Sequence, residues 1–521
     1  MRVDDKILIG RGDEAVFLLP SMANRHGLIA GATGTGKTVT LKVLAEGLSS
    51  LGVPVFLADV KGDVSSLALP GARNEKLDAR LTACGLDPAA FAPQSFPVRF
   101  WDLFGENGIP VRATVSDVGP MLFSRLLALT EAQTGVLNIA FQAADDNGWE
   151  LLDLKDLRAM LGWVADHRKE LTTRYGNVSS QSVGAIQRAL LTLEQQGAAR
   201  FFGEPMLNIA DWFTRAPDGR GTINLLHCVE LARRPTLYAA FLLWMLGELF
   251  ELLPEVGDAP LPRLVFFFDE AHLLFDGAPK ALVDRVTQVV RLIRSKGVGV
   301  FFITQSPADL PDPVLAQLNN RIHHALRAYT PAEQRAVRAA AQSFRPNPAF
   351  RTEEAIGSMG TGVALVSMLD ADGAPLPVER ATICPPQSAF TALSDAERRD
   401  RVLRDDLMLK YRDAVDSYSA YEALSDAAAA EAAQAQAAAE QAARAKEEAR
   451  EAAARARQQQ KKQDQWERSL RRAGQSAARS VGRDLGRSIT RGVLGNKGSA
   501  SRAAGNFAGT LMGDLLSGLL K

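Results

Sequence analysis

Two runs of residues in this 521-residue chain have the types and spacing to do chemistry together. The first is Gly31-Ala32-Thr33-Gly34-Thr35-Gly36-Lys37-Thr38, which fits the pattern G-x-x-x-x-G-K-[ST] in full. It follows the short apolar run Leu28-Ile29-Ala30 and precedes a helical pattern from Val39 to Leu51. A glycine-rich turn between strand and helix lets backbone N–H groups curl around a phosphate, and the helix N-terminus adds its positive dipole end. In that setting Lys37 bridges the β- and γ-phosphates of ATP, and the Thr38 hydroxyl ligates Mg²⁺. The second run is Leu264-Val265-Phe266-Phe267-Phe268-Asp269-Glu270. An apolar strand buried on both faces ends there in two carboxylates, at the edge where a parallel sheet binds ligands. Asp269 would hold the Mg²⁺ shell and Glu270 would polarise the attacking water.

Weaker signals surround these two. The apolar run Val298–Ile303 ends in Thr304-Gln305-Ser306, which offers Gln305 as a sensor of the γ-phosphate. Asp59-Val60-Lys61-Gly62-Asp63 closes the strand after the phosphate-loop helix. Its two carboxylates can orient water or metal, and a plain Lys-Gly turn fits it nearly as well. His323 and His324 are adjacent on a strand, so they point to opposite faces and do not share one ion. His272 is read as an ordinary hydrogen-bonding residue near the site, and no metal beyond Mg²⁺ is expected.

The elements that must position these residues follow from periodicity. Strand, helix and strand over Leu28–Ala58 form a βαβ unit, which demands a parallel sheet and a right-handed crossover. From Ser116 to about Phe213 the pattern is helix after helix, at Pro120–Leu129, Gln133–Ala144, Leu154–Arg168 and Ser182–Gln196. Alternation resumes with Thr222–Leu226, the helix Thr236–Leu253, the acidic strand, the helix Lys280–Lys296 and the strand Val298–Ile303. Strands near Arg321–Leu326, Gly362–Ser367 and Val378–Ile383 close the edge. Ala427–Gln460 holds 18 alanines in 34 residues and no larger apolar side chain, which makes a solvated helical arm. Beyond Gly474 the Gly, Ser and Arg content predicts poor order.

Taken together, these segments resemble the HerA/FtsK group of RecA-like P-loop ATPases, most strongly its HerA-like bacterial members. The likeness is carried by Asn24–Thr38, Val265–His272, Gly297–Pro307 and Leu315–Ile322, and it covers about residues 1–390. It implies a homo-hexameric ring that hydrolyses ATP at subunit interfaces and moves DNA through a central channel. Such rings place an arginine near or across the interface, for which Arg321 is the first candidate and Arg291 and Arg294 the next. HerA proteins usually carry a β-barrel before the phosphate loop. The 30 residues before Gly31 are too few for one, so docking through a barrel is not expected.

The fold expected is therefore α/β, a RecA-like P-loop NTPase with a mainly parallel sheet. Its core spans 1–115 and 214–390, an all-helical insertion spans 116–213, and a helical, partly disordered tail spans 391–521. Two rival functions stay open: an ATPase motor acting on a protein or at a membrane surface, and a slow nucleotide-dependent switch.

Composition narrows the setting. Lys+Arg and Asp+Glu each total 60, a net charge of zero. Lys461–Arg502 alone carries eleven basic and three acidic residues, a net of +8 that leaves −8 on the rest. The zero therefore excludes nothing about DNA. The basic tail suits phosphates, an anionic membrane surface or a partner groove, with Met512, Leu515, Leu516, Leu519 and Leu520 as an apolar tip. Three distant cysteines make neither a disulfide framework nor a zinc ribbon, and the start leads into no signal-peptide core, so a cytoplasmic setting is expected. Leu237–Leu253, broken by Glu248 and Glu251, falls short of the ~20 apolar residues that span a bilayer.

Overall fold

Three strands, Val55–Asp59, Leu264–Phe268 and Val298–Thr304, are buried at every residue, as the centre of a parallel sheet covered on both faces requires. The computed structural model describes residues 2–257, 259–276, 280–327 and 330–493. Across its sheet the parallel strands run Asn320–His324, Gly27–Ala30, Val298–Thr304, Leu264–Phe268, Val55–Asp59, Ile223–His227, Val98–Asp102 and Ile109–Pro110. Val298–Thr304 lies between the phosphate-loop strand and the acidic strand. An antiparallel edge of Val363–Ser367, Glu379–Ile383 and Lys6–Arg11 follows Asn320–His324, with Arg2–Val3 and Ala15–Leu18 paired to Lys6–Arg11.

Aromatic pairs pin the central register. Phe267 stacks on Phe301 at 5.2 Å between ring centroids and Phe268 on Phe302 at 5.6 Å, and these are also the residues that pair across the two strands. A one-residue slip would break both stacks and turn every side chain to the other face.

The residues before Leu28, to which periodicity assigns no element, supply the far antiparallel edge. Lys6–Arg11 is buried through its middle and packs under the phosphate-loop helix Lys37–Ser50. Gly47 permits the contact, since a Cβ there would lie 2.4 Å from Ile7 Cγ2.

Residues 115–200 form Val115–Leu126, Glu131–Asn147, Leu154–Asp166, Arg168–Tyr175 and Ser180–Gln195. They share a core with the helix Pro235–Leu252: Phe201 lies 5.7 Å from Trp244, whose indole N–H donates to Asp117 at 3.1 Å. That helix is long and apolar enough to cross a membrane by length and composition. Here Leu237, Phe241, Trp244 and Met245 are buried in the protein core.

The tail differs from expectation in two ways. Residues 391–425 belong to the compact unit that ends at Ser425, not to the arm. Tyr411 is fully buried and donates to Asp211 at 2.5 Å, and Arg99 pairs with Asp405 at 2.8 Å and Asp406 at 2.7 Å. These attachments are long-range and polar, so no periodic pattern announces them. The long helix Ala420–Val493 also continues past Gly474, where poor order was expected. Gly474, Gly482 and Gly486 each cost a helix only ~1 kcal/mol, and Ala and Arg propensity offsets that. The second unit, from Asp426, is exposed along nearly all of its described length. The apolar tip at Met512–Leu520 lies outside the described residues.

Three histidines are buried and held neutral. Burial pushes His26 and His324 down to about 4 and His323 to about 3. An unfolded histidine titrates near ~6.5, so this preference for the folded state is complete above that pH and is lost as pH falls through about 4. Denaturant titrations should therefore show stability dropping between pH 6.5 and 4. His323, with no hydrogen-bond partner on either ring nitrogen among the described residues, is the residue to replace. His323→Leu should flatten the slope, and an unchanged slope would contradict the assignment.

Candidate active site at the parallel-strand edge

The strand Gly27–Ala30 ends in a loop that is tied down on both sides. Gly31 N–H donates to Thr304 O at 3.2 Å, Ala32 N–H to Ala325 O at 2.9 Å, and Gly362 N–H to Thr35 O at 2.9 Å. Glycine is needed at Gly31 because a Cβ there would lie 2.5 Å from His324 Cβ. It is needed at Gly36 because the N-cap of the following helix sits at φ 114°, ψ 13°. His324 braces the same helix through Thr40, with 2.8 Å between Nε2 and Oγ1. Lys37 folds back over the loop, its ammonium donating to Gly31 O at 2.5 Å and Ala32 O at 3.2 Å. Burial and then the nearby Lys61 hold its pKa below the usual lysine value.

Register brings the acidic residues level with this loop. Thr304 pairs with Ala30 and Phe302 with Phe268, so the residues following Phe268 emerge beside the loop's first turn. Ala58 also pairs with Phe268, which sets Asp59 alongside Asp269. Asp269 is 6% exposed, and burial pushes its carboxyl up to about 6 against the pull of Lys61. Asp59 is pushed up to about 7 by burial and by Asp63, although its carboxylate accepts Gly62 N–H at 2.7 Å. Glu270 adopts φ 48°, ψ 50°, a left-handed backbone that costs a non-glycine residue ~1–3 kcal/mol and is found chiefly at functional sites. Its Oε1 meets the Lys61 ammonium at 2.5 Å and its Oε2 lies 3.3 Å from His272 Nδ1. Burial opposes its charge, but Lys61, with His272 and Gln305, holds the carboxyl below its usual value.

The structure thus brings together the loop Gly31–Thr38, Asp269, Glu270 and Gln305. The Gln305 side chain lies close enough to Glu270 to favour its charged form and, with His272 and Asp309, borders an open cleft of about 670 Å³. Arg321 stays apart. It pairs with Leu28 in the strand before the loop, and its guanidinium donates to Leu318 O at 3.0 Å and Ser343 O at 2.8 Å. Arg291 is exposed on the helix Lys280–Ile293, and Arg294 acts on His26 at the opposite end of the sheet. His323 and His324 face opposite ways, His323 against Phe344 and His324 toward Thr40.

Residues that periodicity does not single out complete the site. Lys61 belongs to a segment readable as a simple turn, and only the fold shows that it reaches Glu270. Leu326, Arg327, Val337 and Met359 join Gly34 and Thr35 around a second cleft of about 450 Å³ beside the loop. Its lining mixes these apolar side chains with Arg327, Thr35, Thr361 and the glycines Gly357 and Gly360. The residues also fit Mg²⁺. Asp269 is a buried carboxylate with no ion pair among the described residues, and Thr38 opens the helix beside Lys37, so the donors are the hard oxygens that this ion takes.

A family model described as helicase HerA-like C-terminal matches residues 5–502 of the chain. Among solved structures, the bacterial conjugative coupling protein TrwBΔN70 in its unbound monoclinic form is 14% identical, with a TM-score of 0.49 over 75% of this chain and 92% of that one. TrwB in complex with a non-hydrolysable ATP analogue is 16% identical, with a TM-score of 0.49 over 76% and 92%. VirB4 of Thermoanaerobacter pseudethanolicus is 14% identical, with a TM-score of 0.45 over 74% and 97%. No curated protein matches the sequence.

The buried Asp269 implies a trade between stability and chemistry. Its folded pKa lies above the unfolded value of ~3.9, so the charged form penalises the Mg²⁺-free protein above about pH 6, and the penalty vanishes at low pH. Asp269→Asn should raise Tm by a few degrees at pH 8 in the absence of Mg²⁺ and by much less at pH 4. Scanning calorimetry at the two pH values checks this, and equal shifts would contradict it.

Proposed function

The chain belongs to the helicase HerA-like C-terminal family, and from that premise we propose that it is an ATP-hydrolysing ring motor that translocates or unwinds DNA. The carrying observation is the convergence of a built phosphate loop with Asp269 and Glu270 on aligned strand ends. The backbone of Gly31, Ala32, Thr33, Gly34, Thr35 and Gly36 cradles the β-phosphate, and Lys37 leaves its own loop carbonyls to bridge the β- and γ-phosphates. Thr38 and Asp269 hold Mg²⁺, which when bound neutralises charge on those phosphates. Glu270 accepts a proton from the attacking water as the water turns on the γ-phosphorus, and Gln305 senses the γ-phosphate from the next strand end.

The arginine that stabilises the transition state is assigned to a neighbouring subunit of a homo-hexamer. Arg321, tied to carbonyls of its own chain, serves as a brace in this account. Lys461, Lys462, Arg468, Arg471 and Arg472 are exposed on the long helix and supply sequence-independent contacts to DNA phosphates. A cytoplasmic setting completes the proposal.

ATP turnover measured with and without single- and double-stranded DNA at low salt tests it. Wild type should be stimulated by DNA, Lys37→Ala should lose on the order of 100-fold, and Glu270→Gln should bind ATP without turning it over. Absence of stimulation by either DNA would overturn the translocase reading, and persistent turnover in Glu270→Gln would overturn the assigned base. Mass photometry with ATP should give six subunits.

A further inference from the structure

Two lysines in this site rest on acceptors that ATP can replace. Lys37 lies on the carbonyls of Gly31 and Ala32, and Lys61 lies on Glu270. They are near enough to act on one another, each surrounded by the same acids: Asp269, Glu270 and, for Lys61, Asp63. The turn that carries Lys61 is built to aim it. Asp59 Oδ1 accepts Gly62 N–H at 2.7 Å, and Gly62 takes φ 79°, a conformation that favours glycine. The chain therefore reverses just past the strand end, and the lysine comes back over the neighbouring strand. Its side chain is 42% exposed, whereas Glu270 is 8% exposed, so the lysine can swing while the carboxylate stays fixed.

While this ion pair holds, Lys61 occupies Glu270 Oε1, and Oε2, 3.3 Å from His272 Nδ1, is buried without a hydrogen-bond partner among the described residues, so the exposed approach to the carboxylate is the one Lys61 covers. A doubly charged terminal phosphate on Lys37 would sit beside Lys61 and compete with a singly charged carboxylate for it. We propose that Lys61 is a triphosphate-sensing residue: it holds Glu270 in the nucleotide-free chain and transfers to the γ-phosphate when ATP binds, freeing the carboxylate for the attacking water. No covalent bond changes in this step; one ion pair is exchanged for another. ADP has no γ-phosphate, so it leaves the Lys61–Glu270 pair closed. The inference deepens the ATPase reading and rests on it.

The test is binding, so that it stands apart from turnover. Titrating Mg²⁺·ATPγS and Mg²⁺·ADP into the full chain gives the ratio of the two affinities. Lys61→Met should lower the preference for the triphosphate by about tenfold and leave ADP binding as in wild type. Lys61→Arg should restore much of it. Glu270→Gln removes the competing carboxylate and should raise the preference for the triphosphate, and adding Lys61→Met should abolish that rise. An unchanged affinity ratio in Lys61→Met overturns the inference even where the wild type hydrolyses ATP. Triphosphate binding without turnover in the wild type overturns the ATPase reading while leaving the Lys61 result legible.

Discussion

Because parallel strands all finish at one edge, the register among Gly27–Ala30, Val298–Thr304 and Leu264–Phe268 decides what meets the phosphate loop. Two stacked phenylalanine pairs hold that register in a strand that has no solvent face. Asp269 and Glu270 emerge beside the loop only because Phe267 and Phe268 are locked where they are. The site is thus a consequence of core packing, and substitutions at Phe301 or Phe302 would reach it without touching it.

The second constraint is electrostatic. The edge gathers Asp59, Asp269 and Glu270 where burial opposes charge; Lys61 answers Asp269 and Glu270, with Lys37 beside them, and Arg398 acts on Asp59. Asp59 and Asp269 are driven toward their neutral forms, while Glu270, which has a lysine in contact, stays charged. Such an edge disfavours its own ionised carboxylates, and a cation placed beside Asp269 would relieve it. Glu270 adds a strained backbone at the point where chemistry is placed. These are features that folding alone would not favour, and they coincide at one strand edge.

Much of this was legible in the residues. The loop motif, the apolar strand with its carboxylates and the sensor strand each carry a local signal of spacing or alternation, and each lies where that signal puts it. The antiparallel edge formed by Lys6–Arg11 was not legible, because four buried residues beside polar ends look like any short apolar run. Lys61 and Arg321 show the same limit from opposite sides. Lys61 gains its meaning from a partner 209 positions away, and Arg321 loses its expected place because its partners are carbonyls, which sequence does not display. The attachment of 391–425 likewise depends on Tyr411 and on Asp405 and Asp406 meeting distant residues. What reads poorly is long-range and polar, whereas what reads well is local and periodic.

The central claim is that this strand edge is where a nucleoside triphosphate is bound and hydrolysed. A structure of the Glu270→Gln chain with Mg²⁺ and ATP tests it most directly. The account predicts phosphates inside Gly31–Thr38, Mg²⁺ between Thr38 and Asp269, and Lys61 moved from position 270 to the terminal phosphate. Nucleotide bound elsewhere, or Mg²⁺ that touches neither Thr38 nor Asp269, would contradict it.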